Sequence, residues 1–107
     1  MALKHAEPGE VVHLRPMGAA LSSAKTSALV KSERFEAVRL IVPGGTTIPS
    51  HKVEGFITLL CLEGHAVLAT KREIELRPGD WVYLERGASH SVRAVEDSAL
   101  LLTILFD

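Results

Sequence analysis

The sequence contains a single cysteine, Cys61, so no disulfide can form within the chain. A chain without disulfides is typical of a reducing compartment. The sequence also has no block of like charges, and its formal net charge is −1. Because a basic patch is the usual electrostatic footprint of a protein that binds nucleic acid, neither nucleic acid nor an anionic membrane is expected as a partner.

Long apolar segments are missing as well. No apolar run approaches the roughly 20 residues that a membrane-spanning helix needs. Charged residues and the pair Pro8-Gly9 interrupt the N-terminal segment where a signal peptide would have its apolar core. We therefore expect a cytoplasmic protein. There is no repeat of fixed period and no low-complexity linker, so the 107 residues are expected to form one domain.

What the sequence does contain is a series of short apolar and β-branched segments separated by glycine and proline turns. Strands are predicted at 26–30, 35–42, 56–62, 65–70, 73–76, 81–84, 90–94 and 99–106. Such spacing is typical of an all-β sandwich or barrel. The last segment is almost continuously apolar and is compatible with a helix, but its length and the preceding rhythm favour a strand covered on both sides.

The ends of the chain and the turns complete this prediction. Residues 1–25 are expected to form an N-terminal arm with an edge strand at 11–14, and residues 26–107 the barrel. Segment 18–25 is interpreted as a connection, with one helical turn as the alternative. The segment 95–97 is predicted to be a turn. Glycines 45, 64, 79 and 87 are placed where strands reverse, because glycine accepts a positive φ.

Two glycine-bounded stretches each deliver one histidine. In the first, Gly45 is followed by five residues and then His51, and Gly64 closes the stretch. In the second, Gly79 and Gly87 precede His90. This pair of stretches resembles the two motifs of the cupin superfamily, G-x5-H-x-H-x3,4-E-x6-G and G-x5-P-x-G-x2-H-x3-N.

The resemblance covers residues 43–94, and the sequence departs from the two motifs at four positions. Val53 stands at the second histidine position of the first motif, and Ile57 stands at its glutamate position. In the second motif, Glu85 replaces the proline and Ala94 the asparagine. The resemblance implies a small, single-domain, RmlC-like cupin: a jelly-roll barrel, also called a double-stranded β-helix. It further implies that His51 and His90 point into the open mouth of the barrel.

The same resemblance implies a divalent metal site, because family members with all four ligands hold iron, manganese, nickel or zinc with three histidines and a glutamate. This chain keeps two of the four positions, His51 and His90. Zinc and iron sites normally recruit at least three protein ligands. Glu54 and Cys61 are the nearby candidates for a third. A weakly held metal and no metal both remain open.

A pocket for a small molecule is the second element of the prediction. Strand alternation from Ile57 places Leu59 and Cys61 on the same face as Ile57. In strand 81–84, either Trp81 and Tyr83 or their neighbours face inward. The predicted pocket residues are His51, Val53, Ile57, Leu59, Cys61, Tyr83 and His90.

Two functions are compatible with these residues. The first is a module that binds a small molecule in the barrel mouth. The second is a metal-dependent enzyme, such as a dioxygenase, isomerase or lyase acting on a small organic acid. A short chain with a long apolar C-terminal segment is also expected to form a homodimer, which would cover sheet edges and surplus apolar surface. Histidines 5, 13 and 65 are predicted to be exposed.

Overall fold

The computed structural model describes residues 5–106, without the side chain of His51. A six-residue 3-10 helix, Gly18–Ser23, precedes seven strands. The strands are β1 (Ser27–Lys31), β2 (Phe35–Val42), β3 (Thr47–His51), β4 (Phe56–Ala69), β5 (Glu73–Leu76), β6 (Trp81–Leu84) and β7 (His90–Leu105). The all-β prediction is confirmed, and each of the eight predicted strands from residue 26 onward lies within a strand of the structure or overlaps one.

All strand pairs are antiparallel, and the order along the sheet is β1-β2-β7-β4-β5, with β3 on β7 and β6 on β4. The two long strands, β4 and β7, pass through both layers of the barrel. The first half of β4 pairs with β6 and its second half with β5. In the same way, β7 pairs first with β3 and then with β2. These two strands therefore join the two sheets of the jelly roll.

The buried core lies between the two layers. It includes residues of both halves of β4, such as Ile57 and Leu68, and both halves of β7, such as Val92 and Leu100. Their inward positions follow the alternation of a strand with one buried face. Burying apolar side chains between two sheets is the main favourable contribution to the stability of this architecture.

Two predicted reversals are wrong, because β4 and β7 continue through them. Gly64 lies inside β4, and segment 95–97 lies inside β7. The pairing of these strands shifts register between Cys61 and Ala66, which marks a β-bulge. A bulge bends and twists a strand without ending it. The glycine at 64 is thus used for a bend, with φ of +92°, and not for a hairpin.

Side-chain hydrogen bonds hold the bend. The hydroxyl of Ser98, which is fully buried, accepts the N–H of His65 at 3.0 Å and donates to the carbonyl of Glu96 at 2.8 Å. The carboxylate of Glu63 accepts the N–H groups of Met17 at 2.7 Å and Gly18 at 2.9 Å. The second pair of bonds attaches the N-terminal arm to the same place.

The N-terminal arm differs from the prediction in two respects. Residues 11–14 do not form an edge strand, and Val11 and Val12 are exposed. Residues 18–23 form a 3-10 helix, which was the alternative interpretation of that segment. Residues 47–51, which lie outside the predicted strands, form strand β3. Within the part of the chain that the structure describes, no helix is long and apolar enough to cross a membrane.

We predict that Gly64→Ala destabilises the protein much more than Gly79→Ala. Both glycines have φ of +92°, so an alanine at either position costs about 1 kcal/mol of backbone strain. At Gly64 the new Cβ would also collide with the carbonyl oxygen of Asp97 and lie 2.5 Å from the Ser98 hydroxyl, whereas at Gly79 nothing lies within 4 Å. Overpacking adds a further ~2 kcal/mol. Urea denaturation of both variants measures the difference, and equal losses would contradict it.

Candidate functional site

His90 is the first residue of β7, and its side chain is buried, with 3% of its surface exposed. Its Nδ1 lies 3.1 Å from the carbonyl oxygen of Ala88. Because a carbonyl oxygen can only accept a hydrogen bond, Nδ1 carries the proton and donates it. In the neutral ring, Nε2 is then the nitrogen that accepts hydrogen bonds or ligates a metal.

Strand β3 places the backbone of His51 directly opposite His90. The two residues are partners in the β3–β7 ladder, next to a register shift that separates His51 from Ile48. Directly opposite residues in an antiparallel pair have Cα atoms about 4.5–5.5 Å apart. The two stretches that each deliver a histidine therefore converge at one end of the barrel.

A cavity of about 110 Å³ lies beside His90, between the two sheets. Its lining comes from β2, β3, β4 and β7, and consists of Leu40, Ile48, Leu59, His90, Val92 and Leu102. Five of these six side chains are aliphatic. Among the side chains that the structure describes, the imidazole of His90 is the polar one in the wall.

Of the predicted pocket residues whose side chains the structure describes, Leu59 and His90 line this cavity. The side chain of His51, which was also predicted to line the pocket, lies outside the described residues. Ile57 and Cys61 share the inward face of β4 with Leu59, as alternation predicts, but both are fully packed within the core. Val53 is partly buried against the core, and its carbonyl accepts the N–H of Gly87 at 3.3 Å. Ile57 and Cys61 thus belong to the packed core, and Val53 packs against it.

Tyr83 projects from the outer side of the barrel and lines an open cleft beside Thr70 and Glu85, not the cavity beside His90. Its exposed fraction is 56%, and its ring packs against that of Trp81 with 6.2 Å between the ring centroids. Val82 and Leu84 are the inward pair of β6. The alternation of this strand was recognisable in the sequence, but the face that points inward depends on its register with β4.

Four lining residues were not predicted: Leu40, Ile48, Val92 and Leu102. Ile48 belongs to β3, which lies outside the predicted strands. The other three alternate with outward residues on strands that were predicted correctly. The alternation of these strands could have identified Leu40, Val92 and Leu102 as inward-facing residues. It could not show that the core leaves a cavity beside them.

The two candidates for a third metal ligand lie in unsuitable surroundings. Glu54 is 95% exposed and lies 3.6 Å from Arg86. Cys61 is buried, and burial raises the pKa of its thiol above the ordinary value; a backbone hydrogen bond with Glu63 offsets part of this rise, and the negative charge of Asp80 adds to it. A thiol with a raised pKa is a poor metal ligand and a poor nucleophile.

The described residues do not fit the four-ligand metal centre that the cupin motifs imply. Among them, no group of three or more histidine, cysteine, aspartate or glutamate side chains is placed to hold a metal ion. Val53 and Ile57, at the missing ligand positions, carry no donor atoms on their side chains. We therefore derive no metal chemistry from this site.

The other histidines lie elsewhere. His5 and His13 are exposed, as predicted. His65 was also predicted to be exposed, but its side chain is only 20% exposed, and its Nε2 lies 2.9 Å from the Glu75 carboxylate. Its hydrogen-bond partner is on the neighbouring strand β5, and the sequence alone did not indicate this pairing.

A comparison with protein-family models matches the cupin domain to residues 38–106. This match covers both histidine-bearing stretches and strands β4 to β7. The chain therefore belongs to the cupin family. A comparison with curated proteins gives no match.

Solved structures agree with this fold. A cupin superfamily protein from Desulfitobacterium hafniense DCB-2 has 20% identity and a TM-score of 0.74, covering 92% of this chain and 100% of that one. A protein of unknown function from Streptococcus pyogenes has 18% identity and a TM-score of 0.79, covering 100% and 96%. A predicted oxalate decarboxylase from Thermotoga maritima has 24% identity and a TM-score of 0.71, covering 77% and 79%. At these identities the likeness establishes the fold alone.

We predict that Cys61 reacts slowly with iodoacetamide while the protein is folded. The thiolate is the reactive form, and both burial and a raised pKa keep its population low. At about pH 8 the rate should be at least tenfold below that in urea. The control is Ala19→Cys in a Cys61→Ala background, because position 19 is exposed. Equal rates for Cys61 and this surface cysteine would contradict the prediction.

Proposed function

We propose that this cupin binds a small, compact organic molecule in the cavity beside His90. The observation that supports this most is the cavity itself, an apolar space of about 110 Å³ with the imidazole of His90 in its wall. Ligand sites typically combine an apolar lining with a few polar groups that set orientation. The aliphatic lining provides the first component, and the His90 ring provides the second.

The volume restricts the ligand to a narrow class. An engineered apolar cavity of about 150 Å³ holds benzene. A space of about 110 Å³ therefore suits a molecule no larger than a small ring or a branched chain of a few carbons. Typical pockets for drug-sized ligands begin at about 300 Å³. A nucleotide or a sugar phosphate is thus too large for this space.

The tautomer of His90 indicates the polar part of the ligand. With Nδ1 donating to the Ala88 carbonyl, Nε2 is the accepting nitrogen of the neutral ring. A hydroxyl or amide group that donates a hydrogen bond matches this nitrogen. We therefore expect a preference for a molecule that carries one such donor over an isostere that lacks it.

A metal-dependent enzyme is the second candidate function. It is supported by the position of His51 opposite His90 and by the likeness to a predicted oxalate decarboxylase. The apolar side chains at 53 and 57 weigh against it. The homodimeric state, the absence of nucleic acid and membrane partners, and a cytoplasmic location remain predictions from the sequence.

The test uses phenol and benzene as probes, because they differ by a hydroxyl group that could donate a hydrogen bond to Nε2 of His90. We expect both to shift the methyl resonances of Leu59 and Leu102, with phenol binding about three- to tenfold more tightly, as a net hydrogen bond contributes about 1 kcal/mol. His90→Phe should remove this preference. NMR titration of both proteins measures the four affinities.

A filling variant provides the matched control for this test. Leu102→Phe places extra volume in the cavity and should weaken binding of both probes about tenfold or more, since a close-packed wall cannot absorb it. Val82→Ile changes a core residue that does not line the cavity and should leave binding unchanged. Loss of binding in both variants, or in neither, would argue against the cavity as the site.

Metal analysis distinguishes the metal-dependent enzyme from the metal-free binding protein. After dialysis against zinc, the wild-type protein should retain less than one equivalent, because fewer than three ligands are present among the described residues. Stoichiometric zinc that is lost in His90→Ala would favour the enzyme. It would also show that residues outside the described side chains complete the coordination.

A further inference from the structure

A cleft of about 270 Å³ lies outside the barrel, beneath the N-terminal arm. The arm between residues 5 and 12 supplies one side of the cleft, the first three residues of β1 supply the other, and Arg39 of β2 completes the lining. Among the described residues, none lines both this cleft and the cavity beside His90. The cleft is therefore a separate space from the candidate site inside the barrel.

Hydrogen bonds attach the arm to the barrel on both sides of the cleft. The N–H of Ala6 donates to the carbonyl of Leu29 in β1 at 2.7 Å. Further along the arm, the carboxylate of Glu63 accepts the N–H of Met17 at 2.7 Å. The segment between these two attachments passes over the cleft, so its two sides are held at a defined separation.

Arg39 reaches the cleft from the outer side of β2. Its neighbour Leu40 lines the cavity inside the barrel, and successive residues of a strand point to opposite sides. Ser27, which pairs with Arg39 across β1 and β2, projects from the same side and also lines the cleft. The register of these two strands thus places the guanidinium beneath the arm.

The guanidinium of Arg39 has no hydrogen bond or ion pair with any residue that the structure describes. The side chain is half-buried, and its Nε is fully buried. Buried polar groups are normally satisfied, so this nitrogen requires an acceptor from outside the described part of the chain. A cation that is partly removed from water without a counter-charge also favours an anion beside it.

We propose that the cleft binds a small carboxylate with an apolar body, and that Arg39 holds the carboxylate. The planar guanidinium matches the two oxygens of a carboxylate in a bidentate pair. Its two Nη nitrogens are not buried, so a ligand in the cleft reaches them directly. Because no described residue restrains the guanidinium, a rotation brings Nε to the second oxygen. The ligand then supplies the acceptor that Nε lacks.

The other lining residues restrict the chemistry of the ligand. Val12, Leu29 and two alanines provide an apolar surface, which an apolar body would cover. Among the described lining residues, Glu10 is the only carboxylate, and its charge opposes a second negative charge on the ligand. His5 adds an imidazole, whose N–H can donate a hydrogen bond. A monocarboxylate is therefore favoured over a dicarboxylate or a phosphate.

The volume of the cleft limits the size of the ligand. An engineered apolar cavity of about 150 Å³ holds benzene. A space of about 270 Å³ therefore accommodates a ring together with a carboxylate and a short link. Pockets for drug-sized ligands begin at about 300 Å³, so larger acids do not fit. Phenylacetate has the expected size and composition and serves as the probe.

NMR titration with phenylacetate and its neutral counterpart phenylacetamide tests the proposal. We expect phenylacetate to shift the methyl resonances of Val12 and Leu29 but not those of Leu102, which lines the cavity inside the barrel. It should bind about tenfold more tightly than phenylacetamide, because hydrogen bonds between charged groups are the stronger ones. Arg39→Gln should remove this difference. Arg39→Lys should restore only part of it, since an ammonium keeps the charge but not the planar fork.

Two further variants control for charge. Arg93→Gln removes the same charge from an arginine outside the cleft, where Arg93 lies 3.7 Å from Glu73, and should leave both affinities unchanged. Glu10→Gln removes the opposing carboxylate and should tighten phenylacetate binding about two- to threefold, with no effect on phenylacetamide. Circular dichroism confirms that each variant is folded.

Four results would overturn the proposal. The first is the absence of any shift at millimolar phenylacetate, and the second is equal affinity of the wild-type protein for the two probes. The third is an equal loss of phenylacetate binding in Arg39→Gln and Arg93→Gln, and the fourth is no loss in either. Because the wild-type comparison needs no substitution, the proposal is tested even if Arg39→Gln does not fold. None of these results bears on phenol binding beside His90.

Discussion

The close approach of two backbones at Gly64 is the constraint on which the rest of the structure depends. There, β4 passes so near to Asp97 and Ser98 of β7 that no side chain fits between them. Both strands bend at this point and continue into the second sheet. Two strands of 14 and 16 residues can therefore belong to both layers of the barrel, and the layers close on each other without a separate connection.

The candidate site is a consequence of this bend. Because β7 continues from His90 through the bend to Leu102, one strand supplies cavity-lining residues from both sheets. Leu59 on β4 and Leu40 on β2 complete the wall from the sheet opposite His90. The cavity is small because the inward residues around it are mostly large aliphatic side chains. A ligand in it would be enclosed by rigid strands on several sides, and its size would be limited more by packing than by charge.

Much of the fold could be predicted from the sequence, because alternation and turn residues are local signals. The strand 35–42 was predicted with its exact bounds, and so were 73–76 and 81–84. The errors occur where contacts between distant residues decide the local structure. A glycine with positive φ is compatible with both a hairpin and a β-bulge. At Gly64, only the pairing with β7 shows that the glycine lies in a bulge. For the same reason, the sequence left open which pair of residues in strand 81–84 faces inward. The convergence of the stretches bearing His51 and His90 followed from the motif resemblance, whereas the cavity depends on packing that no local pattern encodes.

The alternation of β4 and β7 also links the candidate site to the outer side of the barrel. Leu59 lines the cavity, and the next residue, Leu60, projects from the opposite side of the strand; Leu102 and Leu101 stand in the same relation on β7. Neighbouring residues on one strand cannot move independently, because the backbone between them is held in the sheet. A contact that orders the outer side of these strands would therefore restrict the cavity wall behind it. Such a contact would strengthen ligand binding, since a wall that is already ordered has less conformational entropy to lose when a ligand enters.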